Sequence, residues 1–251
     1  MRIVIVGTGN VATVLGRLIT AKGHKVVHVA GRTPEHAMAL AGELGCSWSG
    51  LGEIHSIESD LVLIAISDNA VYDSASTLHT NPVPVVHTAG SVPMEVLKNV
   101  SSRYGVFYPL QSLRREMMQI PDIPFLIDGN TPEMTALLSN FANTLSPFVE
   151  QAGDDQRLRL HAAAVIVSNF TNHLYALGEE FCMKENVNFN LLKPLILETA
   201  QRIMGLSPTQ VQTGPAARKD IQTLDKHLRL LNNHPKLRTT YLRLTDSIMN
   251  P

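Results

Sequence analysis

Gly7-Thr8-Gly9-Asn10-Val11-Ala12 follows the apolar run 3–6 directly and precedes Val14, Leu15, Leu18 and Ile19, which recur at helical spacing. Each small residue has its own task. Gly7 permits a tight turn, Gly9 lets the backbone approach a pyrophosphate, and Ala12 keeps the next helix close to the strand. The helix start then offers N–H groups and the positive end of its dipole to phosphates. A lone glycine-rich turn is a weak signal. In the first strand–turn–helix of an α/β chain it points to dinucleotide binding by Gly7, Thr8, Gly9, Asn10, Val11 and Ala12.

Further apolar runs at 26–30, 61–66, 83–86, 106–108 and 125–127 mostly lack polar alternation, as expected of strands covered on both faces. Between them, Thr33-Pro34 and Thr131-Pro132 each put a capping hydroxyl before a proline at a first helical position. Strands alternating with helices imply right-handed crossovers and a parallel sheet. From about Gly153 no strand pattern remains. Residues 155–183 read as one long helix, 190–204 as a second ended by Gly205, and Ser207-Pro208 starts a short third. Two more cover 220–232 and 235–249. The expectation is an α/β Rossmann-like parallel-sheet domain over 1–152 and an all-α domain over 153–251.

Composition bounds the function. The 251 residues are 44% hydrophobic with a formal net charge of -1, which gives no general affinity for polyanions. Seven Phe, five Tyr and one Trp are too few for base-stacking on single-stranded nucleic acid. Cys46 and Cys182 have no CxxC spacing, so buried reduced thiols are expected and a metal site is not. No run reaches the length of a membrane span, and the N-terminal apolar run is too short for a signal peptide, so the expected location is cytoplasmic. The charge is uneven: residues 1–150 carry 9 Lys and Arg against 13 Asp and Glu, residues 151–251 carry 12 against 9. That positive share is either solvated helix surface or the place where an anionic ligand or partner subunit meets the helical half.

The second strand selects the nucleotide. An NAD-binding domain places an acid about 20 residues beyond the fingerprint to hold the ribose hydroxyls. Here Gly31, Arg32 and Thr33 occupy that corner, and no carboxylate appears before Glu35. Arg32 can pair with a 2′-phosphate through two parallel hydrogen bonds and Thr33 can donate another, which favours NADP(H) over NAD.

Ligands of an open parallel sheet bind outside the carboxyl ends of its strands. Ile66-Ser67-Asp68, His87-Thr88-Ala89 and Tyr108-Pro109-Leu110-Gln111-Ser112 follow three of the runs. The first two groups are expected beside the cofactor. Tyr108, Gln111 and Ser112 are expected beside the substrate. On the long helix His161, Val165, Ser168 and Asn172 fall on one α-helical face with Asn169 beside them. Such polar groups contact a substrate or neighbours such as Glu198 and Thr199. His161 is the candidate proton donor and Asn169 its catalytic companion, with Ser168 and Asn172 as substrate contacts. The stretch Thr213-Gly214-Pro215-Ala216-Ala217-Arg218-Lys219-Asp220 either aims Arg218 at a carboxylate substrate or is a turn whose Asp220 caps the next helix.

With GTGNVA, HTAGSVP, VFYPLQS, HAAAVIVSNF and TGPAARKD in this order, the chain resembles a family of candidate NADP oxidoreductases. That family has a Rossmann-like N-terminal half and a C-terminal helical domain of unknown function. The chain is more distantly similar to pyrroline-5-carboxylate reductase and the 6-phosphogluconate dehydrogenase-like superfamily. The resemblance implies homodimers joined through helical domains. β-Hydroxyacid dehydrogenases of the superfamily carry a Lys four residues before an Asn on this helix. Asn169 matches the Asn, but Val165 stands at the Lys position. Reduction of a small, anionic carbonyl or imine compound is the expected activity. A catalytically inactive NADPH-binding sensor is the alternative that the missing lysine motivates. An S-adenosylmethionine methyltransferase fits less well, because no acid ends the second strand.

Overall fold

In a computed structural model, which describes residues 1–51, 54, 57–76, 78–80 and 82–250, the first apolar run lies inside a sheet of eight strands. β1 (Arg2–Val6) is buried on both faces, as its unbroken apolar sequence requires. Ile3 and Ile5 join one core with Leu15, Ile19, Phe107 and Phe141, whereas Val4 and Val6 join another with Ile64, Val71 and Leu97. The period-2 alternation of a strand thus feeds two layers of packing.

β2 (Lys25–Ala30), β3 (Ser47–Ser49), β4 (Leu61–Ile64), β5 (Val85–His87), β6 (Tyr104–Pro109), β7 (Phe125–Gly129) and β8 (Val149–Gln151) complete the order β3-β2-β1-β4-β5-β6-β7-β8. Two features depart from the sequence reading. β3 and β8 are short edge strands that it did not contain, and β6 pairs with β7 antiparallel, so the sheet is mostly and not wholly parallel. Residues 110–124 between them hold no helix, so the chain has no crossover to return it parallel.

The helices of this part are α1 (Asn10–Ala21), α2 (Pro34–Leu44), α3 (Asp68–Ala75) and α4 (Pro132–Leu145). Both prolines sit in first helical turns, but only Thr131 caps, accepting from the Met134 N–H at 3.2 Å. Thr33 makes no side-chain cap bond. That correction leaves its hydroxyl outside the helix's own bonding.

The expected single helix over 155–183 is interrupted. α5 (Asp154–Ala164) runs into a π-helical stretch, Val165–Phe170, and then α6 (Thr171–Lys184). Each π turn takes one residue more than an α turn, so the α-helical stripe joining His161 to Ser168 and Asn172 loses its phase. Further along, α7 (Lys193–Arg202) ends before Gly205. Residues 203–220 form turns and no third helix, and α8 (Ile221–Leu230) and α9 (Pro235–Met249) follow. Asp220 caps α8, accepting from the Thr223 N–H at 3.1 Å and its hydroxyl at 2.8 Å.

The chain divides into two compact units, Met1–Ser168 and the part from Asn169 onward. α5 therefore belongs with the sheet. Both cysteines are free, Cys182 buried and Cys46 partly so. Among the described residues no helix is long and apolar enough to cross a membrane, and no cluster of metal-ligating side chains occurs.

Candidate active site

β1 connects to β2 on one side, and the chain returns through β4 on the other, so the strand order reverses between β1 and β4. A crevice opens there at the carboxyl ends. Gly7 turns away from β1 with φ of 128°, and a Cβ on it would stand 2.2 Å from the Ala65 carbonyl oxygen. Only glycine fits both the angle and the space. Gly9 differs: a Cβ there would meet nothing within 4 Å, so its bare backbone faces open space. The first turn of α1 has no acidic residue, and Asn10, Val11 and Ala12 begin a helix whose first N–H groups lack intrahelical acceptors. This cradle fits a pyrophosphate.

The crevice has a volume of about 760 Å³ and is lined by Gly7, Thr8, Gly9, Asn10 and Val11, by Arg32 and Thr33, and by Ile66 and Ser67. Ala12 is fully buried under the loop. Gly31 lies beneath it as well, where a Cβ would be 2.8 Å from the Thr8 side chain. His36, Leu51, Ala70, Asp73, Ser74 and Leu78 also line the crevice and were not singled out from sequence. His36 had a signal: it stands in the first turn of the helix that Thr33 precedes. Arg115 is a second omission; its N–H and Nε each lie 3.3 Å from the Asn10 side-chain oxygen, which brings a cation to the phosphate loop.

The ends of β4, β5 and β6 carry a second group of polar residues. The Tyr108 hydroxyl lies 2.9 Å from His161 Nδ1, with the rings edge-to-face at 5.9 Å between centroids. Gly90 supplies the space: a Cβ there would be 2.7 Å from His161 Nδ1 and 2.9 Å from Tyr108 Cζ. Burial, then the nearby Asp68 carboxylate, push the Tyr108 phenol above its ordinary pKa, so it stays protonated at neutral pH. Asp68 itself accepts from the Ser91 hydroxyl.

His87, Thr88 and Ala89 sit under this surface and not on it. His87 is fully buried, and Thr88 and Ala89 nearly so. The Ala89 N–H donates to His87 Nδ1 at 3.2 Å, which places the ring proton on Nε2. Burial, followed by the charge of Arg157, lowers the His87 pKa to about 4. The ring is therefore neutral, and His87, expected beside the cofactor, is buried and does not line the crevice. Gln111 and Ser112 are exposed, with the Ser112 N–H donating to the Gln111 side chain at 2.9 Å. Ser168 ends the first compact unit. Asn169, Asn172 and Arg218 are exposed residues of the second.

A glycine-turned phosphate cradle and an arginine corner at the carboxyl ends of the strands are the marks of a dinucleotide-binding domain. Residues 2–89 match the family described as NADP oxidoreductase, coenzyme F420-dependent, and residues 123–248 match the domain of unknown function DUF2520. A candidate NADP oxidoreductase from Bacteroides fragilis is 36% identical over 100% of this chain and 98% of its own, with a TM-score of 0.91. The chain belongs to this NADP oxidoreductase family, and its cofactor is NADP(H). Two more distant structures share the fold. A reductive aminase from Aspergillus terreus, in complex with NADPH and ethyl-5-oxohexanoate, is 18% identical over 100% of this chain and 90% of its own, TM-score 0.66. A 1-pyrroline-5-carboxylate reductase from Streptococcus pyogenes is 15% identical over 100% and 99%, TM-score 0.66. No curated protein matches the chain.

Proposed function

We propose that the protein reduces a small, anionic carbonyl or imine compound, with Tyr108 and His161 as its proton-donating pair. The observation that carries this reading is the 2.9 Å bond between the Tyr108 hydroxyl and His161 Nδ1 beside the strand ends. Reduction of a C=O or C=N bond adds a hydride to carbon and a proton to the heteroatom. NADPH, when bound, supplies the hydride. Gly7, Gly9 and the first turn of α1 hold its pyrophosphate, and Arg32 and Thr33 hold its 2′-phosphate. With Nδ1–H donating to the phenol oxygen, the Tyr108 proton is free to point at the substrate. As that proton leaves, the imidazole passes its Nδ1 proton to the phenolate while Nε2 takes one from solvent, so the ring ends neutral.

A reductive aminase and a pyrroline-carboxylate reductase among the structural neighbours support imine chemistry. A protonated imine is already electrophilic, so Val165 in place of a lysine acid is compatible with it. Gln111, Ser112, Ser168, Asn169 and Asn172 are the proposed polar contacts of the substrate, and Arg218 is the partner of its anionic group. The test follows NADPH absorbance near about 340 nm, the nicotinamide band, over a panel of keto acids and cyclic imines. Tyr108→Phe and His161→Gln should each lower turnover by about 10²–10⁴-fold, the usual worth of a positioned acid. Full activity in both variants refutes the assignment. NADPH binding without turnover of any compound favours the sensor instead.

The second compact unit supports a further proposal, association with a second copy of the chain. Phe170, Leu174, Met183, Leu191, Leu195, Leu197, Met204, Ile221 and Leu230 are all exposed on it. Monomers seldom leave so much apolar surface open. Light scattering at micromolar concentration should give twice the 27.5 kDa chain mass; the monomer mass refutes it.

A further inference from the structure

Among the described residues of the sheet-bearing unit, the largest fully buried side chain is a cation. Arg157, on α5, is 1% exposed. Its Nη2 donates to the Val92 carbonyl at 2.5 Å and to Asp154 Oδ1 at 2.8 Å, while Nε and Nη1 have no hydrogen-bond partner among the described residues. Burying a guanidinium with only part of its donors used is costly, and such a placement calls for a reason beyond helix stability. Asp154 does more than neutralise it: its two oxygens also accept from the Met94 N–H at 3.2 and 3.3 Å. Residues 92 and 94 are thus both fastened to the first turn of α5. They end the loop that begins at His87 and contains Gly90.

One helical turn beyond Arg157, on the same face, stands His161. Its ring lies so close over Gly90 that a methyl group there would collide with it and with Tyr108. We infer that Arg157 is a positioning residue for the Tyr108–His161 pair: by pinning the loop after β5 to α5, it sets the height of the His161 ring over Gly90 and within reach of the Tyr108 hydroxyl. A slip of about an ångström between loop and helix would open the bond beyond ordinary hydrogen-bond length. The catalytic meaning of the pair rests on the function proposed above; the staple itself does not.

The test uses the full chain, ¹⁵N-labelled, with the His161 ring signals identified by their absence in His161→Gln and their unbonded position taken from Tyr108→Phe. Arg157→Met should move the His161 ring signals to the Tyr108→Phe position, while NADP⁺ affinity stays within about twofold of the wild type. Arg157→Lys, which keeps a donor for Val92, should return them part of the way. His161 signals that coincide with the wild type in Arg157→Met overturn the inference. Should Arg157→Met fail to fold, Asp154→Ala removes the Met94 acceptor and the ion pair, and must move the same signals in the same direction; unchanged signals there also overturn it. Failure of the proton-donor assignment would read differently, as full turnover by Tyr108→Phe and His161→Gln.

Discussion

His87 makes the protein's stability depend on pH in a calculable way. Its ring is buried, its Nδ1 is taken by the Ala89 N–H, and its pKa is lowered to about 4 by burial and then by Arg157. The unfolded chain exposes an ordinary histidine with a pKa near 6.5, which binds a proton that the folded one refuses. Below that value the unfolded state therefore holds more protons, and stability falls as pH falls. The contribution is intact above pH 6.5. It drops by about 2 kcal/mol at pH 5 and about 3 kcal/mol at pH 4, the order of magnitude that this separation of pKa values dictates. Carboxylates titrate over the same interval, so the assay compares two proteins. Wild type and His87→Gln, whose amide does not titrate, are unfolded by urea at pH 7.5, 6.5, 5.5 and 5.0. The wild type should lose stability relative to the variant across that series. A constant difference between the two from pH 7.5 to 5.0 refutes the assignment of a buried neutral ring.

Three other perturbations bear on the site and its frame. Gly7→Ala meets both a φ of 128° and the Ala65 carbonyl, so it should lower stability by more than about 2 kcal/mol and abolish NADP⁺ binding, read by thermal melting and calorimetry. Arg32→Ala should weaken NADP⁺ binding by about tenfold or more, the worth of charged hydrogen bonds, and leave NAD⁺ binding unchanged; equal losses exclude Arg32 as the reader of the 2′-phosphate. Asp220→Ala removes two hydrogen bonds to Thr223 and should cost about 1 kcal/mol of stability in a denaturant titration, without changing NADP⁺ affinity.

The phosphate cradle was legible because its determinants are local. A run of apolar residues, two glycines and an alanine define strand, turn and helix within a dozen positions, and the structure builds them as read. β3 and β8 were not legible. Ser47-Trp48-Ser49 and Val149-Glu150-Gln151 carry no apolar run and become strands only because β2 and β7 offer them edges to pair with. The antiparallel turn of β7 left one sign, the lack of any helical pattern in 110–124. The Tyr108–His161 pair joins residues 53 apart in the chain, a contact that no local pattern encodes. Arg157 has no local signal of its burial beyond the spacing of Asp154, Arg157 and His161 along one face of α5.

The same helix changes how the site's labour is divided. The sequence reading began the helical half at 153 and set His161 on one stripe with Ser168 and Asn172, Asn169 beside them. In the structure α5 is part of the sheet-bearing unit, and the π-helical stretch Val165–Phe170 breaks the spacing that made the stripe continuous. The proposed proton donors therefore share a unit with the phosphate cradle, tied there through the loop after β5 by Arg157 and Asp154. Asn169, Asn172 and Arg218 fall in the other unit, so their proposed part is recognition and not proton transfer. Hydride and proton delivery need sub-ångström constancy, which a single packed core supplies.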